Sequence, residues 1–323
     1  MGADVEWDEQ HLGRHLKLRE LNVLMTVARC GSMGKAAAQL SVSQPAISKA
    51  IADMEYTLGV RLLDRSPQGV APTIYGHALL KCGLAVFDEL RQGMRSIETL
   101  ADPTAGEIRI GCQATLAETI LPALIEQLSH YPRLAFHITE LISPTFEFPE
   151  LRDRTIDLML APLPGPTAGH KLGDDVSVEI VFDDRLYVVA GIQSRWARRR
   201  KIELAELADE SWVLAPPGSW MSSFVAEAFT AKGLGMPRIK VASYSVPLLY
   251  SLYPTGRYIG VLGGLTLRLS GKRLGIKALP IDLPVWPWPV AIVMLKNRTV
   301  SPVVELFIEH VRTFTASLAK RKP

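Results

Sequence analysis

The stretch SMGKAAAQLSVSQPAISKAI, residues 32–51, decides the first part of the fold. Its alanines stand where two short helices must cross closely, and a short turn precedes the second helix. Ser43 is a suitable N-cap for that helix, and Pro45 is tolerated because first-turn amides need no acceptor within the helix. The spacing therefore predicts a helix-turn-helix over about residues 33–52.

The second helix opens with small and polar side chains, which suit a helix that enters the major groove of DNA. Gln44 can donate to and accept from base edges, and Ala46 is small enough to lie against a thymine methyl group. Ser43, Ser48 and Lys49 are suited to phosphates, which position a protein without specifying sequence. The alternative is a small helical subdomain with a solvated polar face, because this spacing alone is not specific.

The neighbouring segments extend the pattern. A helix with apolar three- and four-residue steps starts at Leu18, and residues 59–72 predict a hairpin with Arg65 and Gln68 at its tip. Residues 16–73 hold seven basic and four acidic side chains, a surplus equal to the chain's net charge of +3. The predicted DNA-binding residues are Ser43, Gln44, Pro45, Ala46, Ser48, Lys49, Arg65 and Gln68.

Thr73 is a suitable N-cap for a long helix, which we predict over residues 74–101. A seam of mostly apolar residues recurs along it at alternating four- and three-residue steps: Val86, Leu90, Gly93, Ile97 and Leu100. Such a seam with polar flanks is typical of a helix that pairs with another helix. We therefore predict a dimerising coiled coil, with packing onto the helix's own domain as the alternative.

After a linker at residues 102–106, predicted strands and helices alternate to the end of the chain. This alternation predicts an α/β fold with a mainly parallel sheet. Ligands of such sheets bind beyond the carboxyl ends of strands, often at helix N-termini. Thr115, Ser143 and Ser245 stand at such positions, where their hydroxyls could anchor a carboxylate or a sugar. Capping or turn roles are the alternative for each.

Composition narrows the function classes. The 323 residues include three widely spaced cysteines, so neither a disulfide framework nor a cysteine-based metal site is predicted. The sequence shows no secretory signal and no apolar run that could span a membrane, so we expect a cytoplasmic protein. It contains no nucleophile-elbow, P-loop, dinucleotide-binding or zinc motif, which argues against an enzyme. Cys112 is interpreted as buried packing and the basic run at residues 195–201 as a solvated loop.

An ordered set of residues resembles the N-terminal domain of the LysR-type transcriptional regulators. The set is Gly31-Ser32, Ala36-Ala37, Leu40, Ser43-Gln44-Pro45, Ile47-Ser48, Leu58-Gly59, Leu63, Arg65, Thr73 and Gly76. Met54, Leu63 and Ala71-Pro72 depart from the family's usual residues, which bears on the geometry of the wing.

The resemblance extends over nearly the whole chain and implies an α/β protein of several parts. These are a flexible extension at 1–15, a winged helix-turn-helix at 16–73, a linker helix at 74–101, and a periplasmic-binding-protein-like effector domain at 106–323. The effector domain would comprise two α/β subdomains, I at about 106–175 and 271–323 and II at about 176–270.

The resemblance also implies a function. The chain would be a sequence-specific transcriptional regulator that binds double-stranded promoter DNA as a homodimer or homotetramer, with RNA polymerase as a further partner. A small-molecule effector, such as a sugar or an aromatic or organic acid, would bind between the subdomains, without a cofactor. The implied effector-binding residues are Gln113, Ala114, Thr115, Ser143, Thr145, Pro217, Gly218, Ser219, Trp220, Tyr244, Ser245, Val246, Gly263 and Gly264. The alternative is a small-molecule-binding protein without regulatory DNA binding.

Overall fold

A computed structural model describes residues 16–67, 69–102, 105–141, 147–163, 172–281 and 288–319, and it divides the chain into two units, 1–93 and 94–323. The predicted extension at 1–15 and the site residues Gln68, Ser143 and Thr145 lie outside the described residues, as does the side chain of Trp220.

Three helices and a hairpin form the first unit, in the order that the sequence predicts. The helices are α1 (Leu18–Cys30), α2 (Met33–Gln39) and α3 (Gln44–Leu58). The side chain of Ser43 accepts a hydrogen bond from the amide of Ala46 at 3.4 Å and caps α3 as expected. Leu24, Ile47 and Ile51 are fully buried between the helices, so the apolar spacing forms one core.

The hairpin forms despite the unusual residues in the wing. Its strands β1 (Leu63–Ser66) and β2 (Gly69–Pro72) are antiparallel. Glu55 accepts hydrogen bonds from the amides of Leu62 and Leu63 and so ties α3 to the start of the wing. A Cβ atom on Gly69 would lie 2.8 Å from the carbonyl oxygen of Gly31, so this close approach requires glycine.

The long helix α4 (Ile74–Ala101) follows the wing. The hydroxyl of Thr73 accepts from the amide of Gly76 at 3.0 Å and donates to the carbonyl of Arg61 at 2.7 Å. These bonds confirm the predicted cap and fix the start of α4 against the segment before β1.

The second unit contains two five-stranded sheets with helices. The first sheet has the order β4-β3-β5-β12-β6 and the second the order β11-β7-β10-β8-β9. The strands are β3 (Ala105–Cys112), β4 (Arg133–Glu140), β5 (Leu158–Pro162), β6 (Val176–Phe182), β7 (Leu186–Gly191), β8 (Trp212–Leu214), β9 (Ile239–Ala242), β10 (Ile259–Gly263), β11 (Ile276–Ala278) and β12 (Val290–Leu295). The α-helices are α5 (Ala114–Gln127), α6 (Pro149–Arg152), α7 (Trp220–Thr230), α8 (Val246–Leu252), α9 (Gly264–Ser270) and α10 (Pro302–Ala319).

The prediction of a mainly parallel sheet is wrong in part. β3 runs parallel to β4 and β5, and β8 runs parallel to β9 and β10. The remaining pairings, β12 with β5 and β6 and β7 with β10 and β11, are antiparallel. The reason is that β7 and β12 both begin beside the carboxyl ends of their neighbours β10 and β5, where the chain arrives after crossing from the other sheet.

The predicted subdomain boundaries also need correction. β6 pairs with β12 along its length and therefore belongs to the first sheet, although residues 176–182 were predicted in subdomain II. β11 pairs with β7 and belongs to the second sheet, although residues 276–278 were predicted in subdomain I. The chain thus crosses between the sheets after Phe182 and again between Ala278 and Val290.

Candidate functional sites

The first turn of α3 presents one continuous exposed surface. Ser43, Gln44, Pro45 and Ala46 are all exposed, and the next residue, Ile47, is buried in the core and anchors the helix. Among the other predicted contacts, Lys49 and Arg65 are exposed and Ser48 is half-buried. The local sequence therefore leaves a polar donor and acceptor, a small apolar group and a cation available to a partner molecule.

A cavity of about 160 Å³ lies between the two sheets of the second unit. The first sheet lines it with residues that follow β3 and β4 and with the last residue of β5, and the second lines it with residues around the ends of β8 and β10. The lining residues are Gln113, Ala114, Thr115, Leu116, Leu141, Pro162, Asp184, Val213, Leu214, Ala215, Ser219, Met221, Ser243, Tyr244, Val246, Leu249, Tyr253, Val261, Leu262, Gly263, Leu265, Thr266, Trp288 and Val290. The carboxyl ends of strands thus meet at this cavity, as the α/β pattern predicts.

The structure brings half of the predicted effector residues together at this cavity. Gln113, Ala114, Thr115, Ser219, Tyr244, Val246 and Gly263 line it. Pro217, Gly218, Ser245 and Gly264 do not line it. Ser245 instead caps α8 by accepting from the amide of Leu248 at 3.4 Å, which is the capping role left open above.

Asp184 is a site residue that sequence reasoning missed. It lies between the two sheets, in the short connection from β6 to β7, and its carboxylate accepts hydrogen bonds from the amides of Leu265 at 2.9 Å and Arg185 at 2.8 Å. Burial raises the pKa of Asp184, and these two amide donors act in the opposite direction. Nothing in the local pattern around residue 184 distinguishes it from an exposed loop acid.

Trp288 is another lining residue without a local signal. Its side chain is 7% exposed and its amide donates to the carbonyl of Asp184 at 2.6 Å. A Cβ atom on Gly263 would lie 3.0 Å from the Asp184 carboxylate and 3.5 Å from the Trp288 ring, so glycine leaves space where these elements converge. Trp288 precedes β12 in the sequence, and it comes to lie beside the end of β10 only when the chain folds.

A buried ionic cluster joins the middle of β3 to the start of β5, away from the cavity. The Asp157 carboxylate lies 2.7 Å from Arg109, 2.9 Å from Arg298 and 3.5 Å from Arg95, and Arg95 also lies 3.3 Å from Glu107. Burial would raise the pKa of Asp157, but hydrogen bonds from Arg109 and the charges of Arg109 and Arg298 outweigh burial and lower it. Because Arg95 lies on α4, the cluster also joins the end of that helix to both strands.

Two other sequence features have structural roles. Cys112, the last residue of β3, is fully buried in the core, and burial raises the pKa of its thiol, as expected for a packing residue. In the basic run at 195–201, Arg195 pairs with Glu210, and Arg199 pairs with Glu206 at 3.0 Å. Neighbouring glutamates therefore neutralise part of the positive charge of this run.

Within the described ranges, no group of three or more His, Cys, Asp or Glu side chains could hold a metal ion. No helix in that part of the chain is both long and apolar enough to cross a membrane.

Two protein-family descriptions match the chain. Residues 18–77 match "Bacterial regulatory helix-turn-helix protein, lysR family", and residues 101–316 match "LysR substrate binding domain". The first range covers the helix-turn-helix and wing, and the second covers both sheets and the cavity.

Known relatives are similar along their whole length. The uncharacterized HTH-type transcriptional regulator YybE of Bacillus subtilis (strain 168) is 28% identical over 297 residues, covering 92% of this chain and 98% of the relative. The transcriptional dual regulator GltC of the same strain is 27% identical over 305 residues, covering 94% and 99%. Among solved structures, full-length CbnR in complex with its target DNA has the same fold, with a TM-score of 0.60 at 22% identity, covering 92% and 99%.

Proposed function

Since the chain belongs to the LysR family of DNA-binding transcriptional regulators, we propose that the exposed first turn of α3 reads its promoter DNA and that a small molecule in the cavity modulates this activity. The observation that carries the proposal is the match of one family over both parts, the helix-turn-helix and the cavity-bearing domain. We infer a regulatory role rather than catalysis, in line with the curated relatives, and a cytoplasmic location where DNA is accessible.

On the DNA side, Gln44 and Ala46 would contact base edges, while Ser43, Lys49 and Arg65 would hold phosphates. Exposure of this set supports the assignment, because each side chain can reach a groove without unfolding the helix. Ser48 is half-buried and would contribute a smaller contact.

On the assembly side, we infer that α4 pairs with the same helix of a second copy. Leu90, Met94, Ile97 and Leu100 are exposed by 48% to 85%, whereas the polar residues Asp88, Gln92 and Thr99 of the same helix are buried. An exposed apolar stripe opposite a buried polar face favours a partner helix over solvent. A dimer would present two copies of α3 to a palindromic site, and two dimers would form the tetramer that the family resemblance implies.

On the effector side, ligand occupancy would change the relative population of two arrangements of the two sheets. A ligand can do so only through a difference in its affinity for the two arrangements. The cavity suits this role because residues from both sheets line it, so a change in their separation changes the ligand's contacts.

The DNA-binding assignment is tested by fluorescence anisotropy with DNA from upstream of the chain's own gene, over a series of salt concentrations. We expect specific, salt-sensitive binding, and Lys49→Ala should weaken it on every sequence and reduce the slope of log affinity against log salt by about 1. Lys232→Ala, an exposed lysine in the other unit, is the matched control and should leave the slope unchanged. Absence of any salt-sensitive specific binding would contradict the proposal.

The effector assignment is tested by a thermal-shift screen of metabolites. Thr115 is half-buried in the cavity lining, so Thr115→Trp should fill the cavity with little cost to the surrounding core. We expect a metabolite that raises the melting temperature of the native chain and has no such effect on Thr115→Trp. An equal shift in both proteins would place the ligand elsewhere.

A further inference from the structure

The chemistry of the cavity walls narrows the class of effector, an inference that rests on the proposed function. We propose that the ligand is an uncharged molecule about the size of one aromatic ring that carries a carbonyl or hydroxyl group. This differs from the organic acid or sugar that the hydroxyl groups near the strand ends suggest.

The size follows from the cavity itself. Its volume is about 160 Å³, and an apolar cavity of about 150 Å³ is known to hold benzene. Leu116, Leu214, Val261 and Leu265 supply much of the wall and are all at most 5% exposed, and the Trp288 ring adds an aromatic surface. Such walls gain most from an apolar ring, and polar side chains among them, such as Gln113, Thr115 and Ser243, can serve a carbonyl or hydroxyl group on it.

The ionisable groups in the cavity lining indicate the charge of the ligand. Among the described residues that line the cavity, none is lysine, arginine or histidine, and Asp184 is the only aspartate or glutamate. A carboxylate ligand would lose its hydration, find no cation in this lining and lie near a like charge. An ammonium group would gain less than at an isolated carboxylate, because amides of Leu265 and Arg185 already bond to the Asp184 oxygens and the nearby charge of Arg268 opposes a second cation.

The hydrogen-bond donors at the cavity indicate the polar group of the ligand. The first turns of α7 and α8 are capped by Ser219 and Ser245, and Asp184 accepts from the first turn of α9. At the start of α5, by contrast, Gln113 makes no side-chain capping hydrogen bond. This helix start, with the adjacent hydroxyl of Thr115, can donate hydrogen bonds to one acceptor on the ligand.

Two pairs of probes with nearly equal shape test the charge preference. Benzamide and benzoate differ in charge at the same size, as do benzyl alcohol and benzylamine. Isothermal titration calorimetry on the full chain should show each neutral probe binding at least about tenfold more tightly than its charged partner. Thr115→Trp, which fills the cavity, should abolish the binding of both neutral probes.

A variant that should reverse the charge preference of the cavity provides a second test. Gln113→Lys adds a cation at the cavity without removing a capping bond, so it should shift the preference from benzamide toward benzoate by about tenfold or more. Benzoate or benzylamine binding to the native chain as tightly as its neutral partner would overturn the proposal. Failure of all four probes at millimolar concentrations would also overturn it, whereas the DNA-binding assignment is decided separately by the salt series with Lys49→Ala.

Discussion

Gln44 is the residue that combines exposure with the donor and acceptor groups needed to read a base. It begins α3, directly after the cap formed by Ser43, and its side chain is exposed, whereas Ile47, three positions later, is buried. Its position could be predicted from sequence because every determinant is local: a capping hydroxyl, a tolerated proline and an apolar residue three positions later.

We expect Gln44→Ala to reduce discrimination between the cognate site and scrambled DNA by about 1–3 kcal/mol, the range for a bidentate contact with a base. Ala52→Ser, an exposed change about two turns further along α3, is the control and should leave the ratio intact. Competitive anisotropy with the two DNAs measures the ratio. An unchanged ratio for Gln44→Ala would show that another residue reads the base.

The buried carboxylate of Asp157 pairs with the guanidinium groups of Arg109 and Arg298. Removal of its charge should therefore destabilise the second unit. In Asp157→Asn the buried guanidinium groups of Arg109 and Arg298 lose their anion, which should cost about 3–5 kcal/mol of unfolding free energy. Asp153→Asn, at an exposed position nearby, should change stability by less than about 0.5 kcal/mol. Urea unfolding at neutral pH compares the two.

The stability difference between the native chain and Asp157→Asn should also depend on pH. The pKa of Asp157 is lower in the folded chain than in the unfolded one, so its carboxylate contributes stability above the unfolded value of about 3.9. That contribution falls as the pH drops through the lower folded value. The stability difference between native chain and Asp157→Asn should therefore be constant near neutrality and shrink below about pH 4. A difference that stays constant into stronger acid would contradict this assignment.

Other residues of the site could not be predicted, for a physical reason. Asp184, Trp288 and Leu141 come from distant parts of the sequence and meet only after both sheets have formed. For Ser245 the local sequence leaves two roles open, because a hydroxyl at a helix start suits a ligand or a cap equally well, and the geometry shows the cap.

At the scale of elements, α4 exposes a stripe of apolar side chains. Its seam of Leu90, Ile97 and Leu100 was predicted from spacing, and these side chains are exposed in the single chain. The strand assignments were also predictable, but not the membership of β6 and β11, because pairing between segments so far apart leaves no local periodicity.

We expect Leu90→Glu with Ile97→Glu to convert the chain from a dimer or larger assembly to a monomer, since like charges would face each other across the seam. Light scattering after size-exclusion chromatography measures the mass. Ser223→Glu with Thr230→Glu places the same charges at the same spacing on exposed positions of α7 and should leave the assembly intact. A monomeric native chain, or an unaffected mass in the first variant, would exclude α4 as the interface.

At the scale of the whole molecule, a helix-turn-helix and a two-sheet ligand domain occur in one chain, and family matches cover both. The ionic cluster around Asp157 joins the middle of β3 to the start of β5 and also includes Arg95 of α4. Within the second unit, the cluster therefore connects both strands of the ligand domain to the end of the long helix.

The most direct test of the central claim is selection of fragmented genomic DNA by the purified full-length chain, followed by sequencing of the bound fragments. The account predicts enrichment of a shared motif with inverted-repeat symmetry, as expected for a dimer, and loss of that enrichment in the double variant Gln44→Ala, Lys49→Ala. Recovery of fragments in proportion to the input, or an unchanged motif with the double variant, would contradict it.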